Sequence, residues 1–116
     1  MIKALRHQIV KAKETSPAIL KLTVIEGKLF RDTELIGEMD PYLVLTDNYG
    51  VTCKTRVLDD AGKHAVWNEQ LALRIKDGIN ALIKVQIFDE DLIKDTIIGE
   101  ATFPVEALLG DSAHVI

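Results

Sequence analysis

The 116-residue chain has little cysteine and no long apolar run. Its single cysteine, Cys53, cannot form a disulfide within the chain, so we expect a reducing, intracellular compartment. No apolar segment approaches the roughly 20 residues that a membrane-spanning helix requires. The residues after Met1 do not have the pattern of a signal peptide. These absences favour a cytoplasmic protein.

The residue patterns of enzymes are also absent. The histidines at positions 7, 64 and 114 are too scattered for a metal triad, and no pair of them has zinc-ligand spacing. No serine lies in a nucleophile elbow, no glycine-rich loop suits a phosphate, and no helical pattern carries a paired acid and base. We therefore expect a protein that is not an enzyme.

Charge is distributed unevenly along the chain. Residues 1–13 contain four basic residues and no acidic residue, which gives +4. Residues 14–116 contain ten basic and 18 acidic residues, which gives −8. Such an acidic body is repelled by nucleic acid and by bare anionic lipid, so nucleic acid is excluded as an expected partner. Binding to lipid would require something that reverses this charge locally.

Apolar residues recur with a period of two along most of the chain, which is typical of strands with one buried face. The alternation covers residues 20–24, 51–57, 71–75 and 83–87, and further apolar runs cover residues 42–45 and 97–105. Turn-forming sequences lie between these runs, at residues 47–50, 59–62 and 77–78. Only Val105 to Leu109 suggests a helical turn. The pattern predicts one all-β domain, an antiparallel sandwich.

Residues 1–17 form a basic N-terminal segment that allows two interpretations. Four of its apolar residues have the spacing of a basic amphipathic helix. Alternatively, His7 to Lys11 form an extra strand, or the segment is a plain tail. A helix of about 13 residues is marginal unless it packs, which favours the strand or the tail. We place the sandwich domain at residues 18–116.

Four collinear segments carry a resemblance to a known family. They are Met39-Asp40-Pro41-Tyr42-Leu43-Val44, Lys54-Thr55-Arg56, Val66-Trp67-Asn68-Glu69, and Phe88-Asp89-Glu90-Asp91 with Ile97-Ile98-Gly99-Glu100. In this order and spacing they resemble the C2 domain, the module of protein kinase C and the synaptotagmins. The resemblance implies an eight-stranded Greek-key β-sandwich. No closing strand is evident before Ile116, so either the last strand is lacking or the N-terminal segment occupies its edge.

The resemblance also implies a calcium site where two loops meet at one end of the sandwich. The five acidic positions of the family fall on Glu34, Asp40, Asp89, Asp91 and Thr96, and Asp95 is an acidic neighbour that could replace the charge missing at Thr96. Calcium takes 6–8 oxygen ligands, mostly from carboxylates and carbonyls. Because Glu34 and Thr96 depart from the family pattern, we expect one weak Ca²⁺ site.

Apolar residues lie beside these acidic positions, namely Leu35, Ile36, Leu92 and Ile93. The resemblance implies a peripheral membrane protein: calcium neutralises the acidic loops and bridges to lipid phosphate, and the apolar side chains enter a phospholipid surface. The alternative is a calcium-independent protein-interaction or scaffolding domain of the same fold. The loss of charge at Thr96 and the acidic body support this alternative.

A second lipid-contacting surface is a candidate basic patch on the strands. Its members would be Lys54, Arg56, Arg74 and Lys76, which occupy outward positions of two strands. Four positive charges within an acidic body could hold a phosphoinositide head group weakly. The alternative interpretation is that these residues form a solvated face.

Overall fold

The structure is a computed structural model that describes residues 2–9, 17–29 and 37–108. These residues contain seven strands and two short 3-10 turns. The strands are β1 (Ile2–Ile9), β2 (Ala18–Lys28), β3 (Pro41–Asp47), β4 (Thr52–Lys54), β5 (His64–Ile75), β6 (Leu82–Asp89) and β7 (Thr96–Pro104). The 3-10 turns are Gly78–Asn80 and Val105–Leu108, and the second agrees with the helical turn expected near Val105.

The strands form two antiparallel sheets. One sheet has the order β1-β2-β5 and the other has the order β4-β3-β6-β7. Side chains alternate between the two faces along β3, where Pro41, Leu43 and Leu45 are buried and the residues between them are half-buried. The all-β antiparallel sandwich predicted from the period of two is confirmed. Among the described residues, no helix has the length and hydropathy needed to span a bilayer.

The hydrophobic core lies between the two sheets. Fully buried members include Leu22 of β2, Leu43 of β3, Trp67 of β5 and Ile83 of β6, so both sheets contribute. Burial of each such side chain stabilises the fold by about 1.5–3 kcal/mol relative to an exposed position. Cys53 of β4 is partly buried and packs against this core, which raises the pKa of its thiol. The core fixes both sheets and therefore the loops between their strands.

The N-terminal segment contains strand β1, which pairs with β2 in antiparallel register. Ile9 lies opposite Leu20 and Leu5 lies opposite Val24. The strand begins at Ile2, earlier than the run from His7 to Lys11 that the sequence suggested, so residues 2–9 are extended rather than helical, and the rest of that run lies outside the described residues. The domain boundary at residue 18 stays a prediction.

Strand β4 is shorter than the alternation over residues 51–57 suggested, because it ends at Lys54. Thr55 is buried, and its hydroxyl accepts a hydrogen bond of 2.9 Å from the Leu43 N–H, a donor that a strand carbonyl would otherwise satisfy. The same hydroxyl donates to the Arg56 carbonyl (3.0 Å). Side-chain bonding to the backbone competes with a strand ladder in this way. The alternation of apolar and polar residues over 51–57 does not show where such a side-chain hydrogen bond ends the strand.

Candidate functional site

Three segments meet at the end of the sandwich where β3 begins and β6 ends, and we call this end the loop pole. The segments are residues 37–40, residues 55–63 and residues 90–95. Backbone hydrogen bonds join them, since the Gly62 N–H donates to the Met39 carbonyl (3.1 Å) and the Glu90 N–H donates to the Asp40 carbonyl (3.0 Å). The pole is therefore a connected structure.

Asp40 and Asp89 lie together at the centre of the loop pole. Pro41 pairs with Asp89 across β3 and β6, which places Asp40 beside the end of β6. The Asp40 N–H donates to Asp89 Oδ1 (2.8 Å), and the Asp60 N–H donates to Asp40 Oδ1 (2.7 Å). Asp89 is 0% exposed. The fold thus brings together two predicted ligands that are 49 residues apart in sequence.

The loop from β6 to β7 is ordered by its own acidic side chains. The Asp91 N–H donates to Asp95 Oδ1 (3.1 Å), and the Thr96 hydroxyl donates to Asp91 Oδ2 (2.9 Å). The Tyr42 hydroxyl donates to Asp95 Oδ2. Each of these carboxylates therefore already has a protein donor. Thr96, where the family has an acidic residue, acts as a donor that holds its neighbour in the loop.

The ionisation of Tyr42 and Asp95 reflects this contact. Burial, followed by the hydrogen bond to Asp95, raises the pKa of Tyr42 to about 12. The hydroxyl of Tyr42 is the main cause that lowers the pKa of Asp95, followed by the Asp91 N–H, and Lys54 contributes through its positive charge. The Lys54 Nζ lies 5.6 Å from the centre of the Tyr42 ring. A neutral phenol and a charged carboxylate are thus favoured over a wide pH range.

The tip of this loop is apolar and exposed. Leu92 and Ile93 are 106% and 100% exposed, compared with 48% for Leu82, another exposed leucine, at the start of β6. Lys94 next to them is also exposed. The other predicted membrane-contacting residues, Leu35 and Ile36, lie outside the described residues, as does the predicted ligand Glu34.

The oxygen ligands that calcium prefers are present in Asp40, Asp89 and Asp91, so the chemistry of the side chains fits this cation. Within residues 2–9, 17–29 and 37–108, however, no group of three or more acidic, histidine or cysteine side chains converges as a metal site. Amide and hydroxyl donors occupy several of the oxygens. A carboxylate oxygen can accept a hydrogen bond and bind a cation at the same time, so these donors orient the carboxylates without excluding a ligand role. The predicted ligand roles, including those of Asp95 and Thr96, remain predictions.

The four residues of the candidate basic patch have different neighbours. Lys54 and Lys76 lie over the rings of Tyr42 and Tyr49, at 5.6 and 5.0 Å from the ring centres. The guanidinium of Arg56 donates to the Trp67 carbonyl (2.8 Å) and pairs with Glu69 at 3.6 Å. Arg74 is an exposed residue of β5, opposite Ile19. A shared head-group site among these residues stays a prediction.

Two residues that hydrogen-bond to carboxylates of the loop pole were not identified in that role from the sequence. Asp60 was noted only as part of a turn, yet its N–H binds Asp40, and its φ of 54° lies in the left-handed region that Asp tolerates. Tyr42 was noted only as a strand residue. Its position directly after Pro41, on the alternate face of β3 from Leu43, was the available signal that it points away from the core.

Comparisons with known proteins agree with this architecture. The C2 domain family model matches residues 18–115. The 16 kDa phloem protein 2 of Arabidopsis thaliana is 32% identical over 93 residues, which cover 75% of this chain and 58% of that protein. A calcium-dependent lipid-binding protein of Arabidopsis thaliana is 27% identical over 89 residues, which cover 77% of this chain and 17% of that protein. The chain thus spans less than two thirds of the length of either relative.

A solved structure supports the fold. A C2 domain of RIM from Drosophila superposes with a TM-score of 0.73 and covers 98% of this chain and 96% of that domain. Its sequence identity is 14%, so the likeness concerns the fold alone. The match to the family model, the topology of the sandwich and the contact between acidic residues at the loop pole support the same conclusion. The chain belongs to the C2 domain family.

Proposed function

We propose that this domain docks on a phospholipid membrane surface through its loop pole and that calcium regulates the docking. A C2 domain is a binding module and has no catalytic centre of its own, and one relative is named a calcium-dependent lipid-binding protein. The observation that carries the proposal is the full exposure of Leu92 and Ile93. Two adjacent apolar side chains in water at a loop tip are poorly explained by solubility.

The tip residues would enter the lipid interface. Transfer of each apolar side chain out of water is worth about 1.5–3 kcal/mol, and less when insertion is partial. Lys94 is exposed beside them and is suited to a lipid phosphate. Hydrogen bonds at the base of the loop hold this tip clear of the strands. The domain would therefore present a formed apolar tip to the membrane.

Calcium would be held by Asp40, Asp89 and Asp91, with Glu34, Asp95 and Thr96 as the other predicted ligand positions. When bound, calcium supplies positive charge between acidic loops and lipid phosphate. This charge matters because residues 14–116 carry −8, which repels an anionic surface. Asp89 is buried, so it would anchor the cation close to the ends of β3 and β6.

Calcium-independent binding of a protein partner is the second candidate function. It is favoured by the arrangement of the described carboxylates. In residues 2–9, 17–29 and 37–108, no three of them converge as a site that could hold a metal ion. Their donors are protein groups that keep the loop ordered without a cation. A partner would then recognise the ordered loop itself.

Vesicle sedimentation separates the two candidates. Vesicles of phosphatidylcholine and phosphatidylserine are mixed with the domain in calcium or in chelator. We expect calcium to increase binding and the pair Leu92→Ser and Ile93→Ser to weaken it about tenfold or more, since two inserted side chains are lost. Failure of the wild type to bind vesicles in either calcium or chelator would favour the second candidate.

A matched control lies at the far end of the sandwich, which we define by residues 48–51 and 76–82. Val51 and Leu82 are exposed apolar residues there, at 41% and 48%. The pair Val51→Ser and Leu82→Ser makes the same kind of apolar-to-polar change at two exposed positions outside the loop pole and should leave vesicle binding unchanged. Equal losses for both pairs would contradict docking through the loop pole.

A further inference from the structure

Tyr42 makes a contact that its position in β3 does not require. Its ring stacks on Phe88 of β6, with 5.5 Å between the ring centres and 19° between the planes. Its hydroxyl reaches past the end of the strand and donates to Asp95 in the loop from β6 to β7. The ring would be held by Phe88 and Lys54 without this bond. The hydroxyl is therefore not needed to hold the ring, and its bond instead holds Asp95 of the loop in place.

The bond joins Asp95 to a residue whose side chain lies on the opposite face of the sheet from Asp89. Along β6 the buried residues alternate with exposed or half-buried ones, and Asp89 belongs to the buried set that faces the core. Tyr42 and Phe88 belong to the opposite set, which faces outward. Because successive side chains of a strand point to opposite faces, a carboxylate held by the Tyr42 hydroxyl is drawn toward the outer face.

We infer that Tyr42 is a positioning residue that withholds Asp95 from the cation ligands Asp40 and Asp89. The inference rests on the proposed calcium site at the loop pole. Both oxygens of Asp95 accept hydrogen bonds, one from Tyr42 and one from the Asp91 N–H. Because the Tyr42 bond draws Asp95 toward the outer face, Asp95 must give up that bond to turn toward a cation held by Asp40 and Asp89. The weak site expected from Thr96 would thus be weakened further by Tyr42.

The chain contains a matched pair of tyrosines that makes the inference testable. Tyr49 also donates its hydroxyl to an aspartate, Asp77 (2.7 Å), and also carries a lysine over its ring. This second group lies at the far end of the sandwich, where none of the predicted cation ligands is found. Tyr49→Phe therefore removes the same chemical contact without touching the loop pole.

Calcium affinity is measured by titration calorimetry on the wild type, Tyr42→Phe, Asp95→Asn and the double variant. Tyr42→Phe should bind calcium about fivefold to tenfold more tightly, because calcium no longer competes with a charge-assisted hydrogen bond for Asp95. Asp95→Asn alone should change the affinity less than about twofold, since Asp95 is withheld in the wild type. The double variant should match Asp95→Asn, and Tyr49→Phe should match the wild type.

Hydrogen exchange in chelator gives a readout that does not use calcium. The Asp91 amide donates to Asp95, so Tyr42→Phe should increase its exchange rate by loosening that acceptor. Tyr49→Phe should not change it.

An unchanged or weaker calcium affinity in Tyr42→Phe overturns the inference, as does a gain that persists in the double variant. If no variant binds millimolar calcium, the inference fails and the calcium part of the proposed function fails with it. Vesicle binding in chelator then reports separately on lipid docking.

Discussion

Arg56, in the segment after β4, and Trp67 of β5 exchange hydrogen bonds. The guanidinium of Arg56 donates to the Trp67 carbonyl (2.8 Å), and the indole Nε1 of Trp67 donates to the Arg56 carbonyl (3.2 Å). The next residues of β5 complete the junction. Asn68 adopts a φ of 46°, and the Glu69 carboxylate accepts from the Arg56 N–H (3.0 Å). Hydrogen bonds to Trp67 and Glu69 thus attach the segment after β4 to β5.

Replacing Arg56 by lysine tests this junction. Lysine keeps the positive charge but lacks the planar fork of donors, so the contact with the Trp67 carbonyl is lost. We expect Arg56→Lys to lower the free energy of unfolding by about 1 kcal/mol. Urea unfolding followed by the fluorescence of Trp67, the single tryptophan, measures this change. Arg74→Lys is the control, because it alters an exposed residue of β5, the strand that contains Trp67. Its free energy of unfolding should stay within about 0.5 kcal/mol of the wild type.

Gly62 is a second position where the loop pole depends on one residue. Its φ of +63° is strained for a residue with a side chain, whereas the Glu38 carboxylate that an added Cβ would meet is the end of an exposed, flexible side chain and can move aside. Gly62→Ala should therefore lower the free energy of unfolding by about 1–2 kcal/mol, as measured by urea unfolding.

Gly99 provides the comparison for Gly62. An added Cβ there meets no atom within 4 Å, and its φ is not in the left-handed region. Gly99→Ala should leave stability unchanged or raise it by about 0.5 kcal/mol, since alanine restricts the unfolded chain. Equal destabilisation by both substitutions would show that the backbone at Gly62 is not strained.

Much of this fold follows from the sequence, because a period of two determines which residues face the core. Leu43 and Leu45 are buried as their alternation predicts. The limits arise where side chains replace backbone partners. Thr55 ends β4 through its hydroxyl, and the register of β6 against β7 shifts between Ile87 and Phe88, so that Ile98 has no partner in the ladder. Neither event changes the hydropathy pattern on which the prediction rests.

The candidate site was harder to predict than the fold. The family pattern brought attention to Asp40 and Asp89, and the structure places them in contact through the Asp40 N–H. Hydrogen bonds of Asp60 and Tyr42 to these loops were not foreseen, because they join residues 20 and 53 positions apart. A one-dimensional pattern contains no information about which donor reaches which carboxylate. Which donor reaches which carboxylate becomes clear only from the three-dimensional structure, in which β3 and β6 pair in a defined register.

The contact between Tyr42 and Asp95 predicts an alkaline titration. The chain has two tyrosines, so in Tyr49→Phe the tyrosinate absorbance reports Tyr42 alone. Its midpoint should lie at about pH 12, above the ordinary value of 10.0. Asp95→Asn in that background should move the midpoint toward the ordinary value, because a neutral amide removes the charge that opposes ionisation. An unmoved midpoint would show that burial alone raises this pKa.

The same shift gives a pH dependence of stability. The folded state holds the Tyr42 proton more tightly than the unfolded chain, so its stabilisation is complete below the ordinary pKa of 10.0 and is lost as pH rises through about 12. Asp95 acts in the opposite direction, since its pKa is lowered in the folded state. Its stabilisation is present above its unfolded pKa and is lost as pH falls through the folded value. The difference in unfolding free energy between wild type and Tyr42→Phe, measured in chelator, should therefore shrink at both extremes.

Asp89 lies where the fold meets the proposed calcium site, since it is buried and accepts the Asp40 N–H. Asp89→Asn removes the charge and retains an oxygen acceptor for that N–H. Wild-type protein in calcium at 100 times the dissociation constant should gain about 2.7 kcal/mol of stability over protein in chelator. The variant should lose this gain, because a neutral amide is a poor ligand for a hard cation. Thermal unfolding in calcium and in chelator measures both values.

The control for Asp89 must separate a lost ligand from a damaged fold. Asp77→Asn alters an aspartate that also accepts a hydrogen bond, from the Tyr49 hydroxyl, at the far end of the sandwich. It should keep the full calcium-dependent gain. In chelator, Asp89→Asn should itself lower stability by about 1–3 kcal/mol, because its amide NH₂ is placed among buried groups. An equal calcium response in Asp89→Asn and Asp77→Asn would contradict cation binding at the junction of β3 and β6, whatever the stability of either variant.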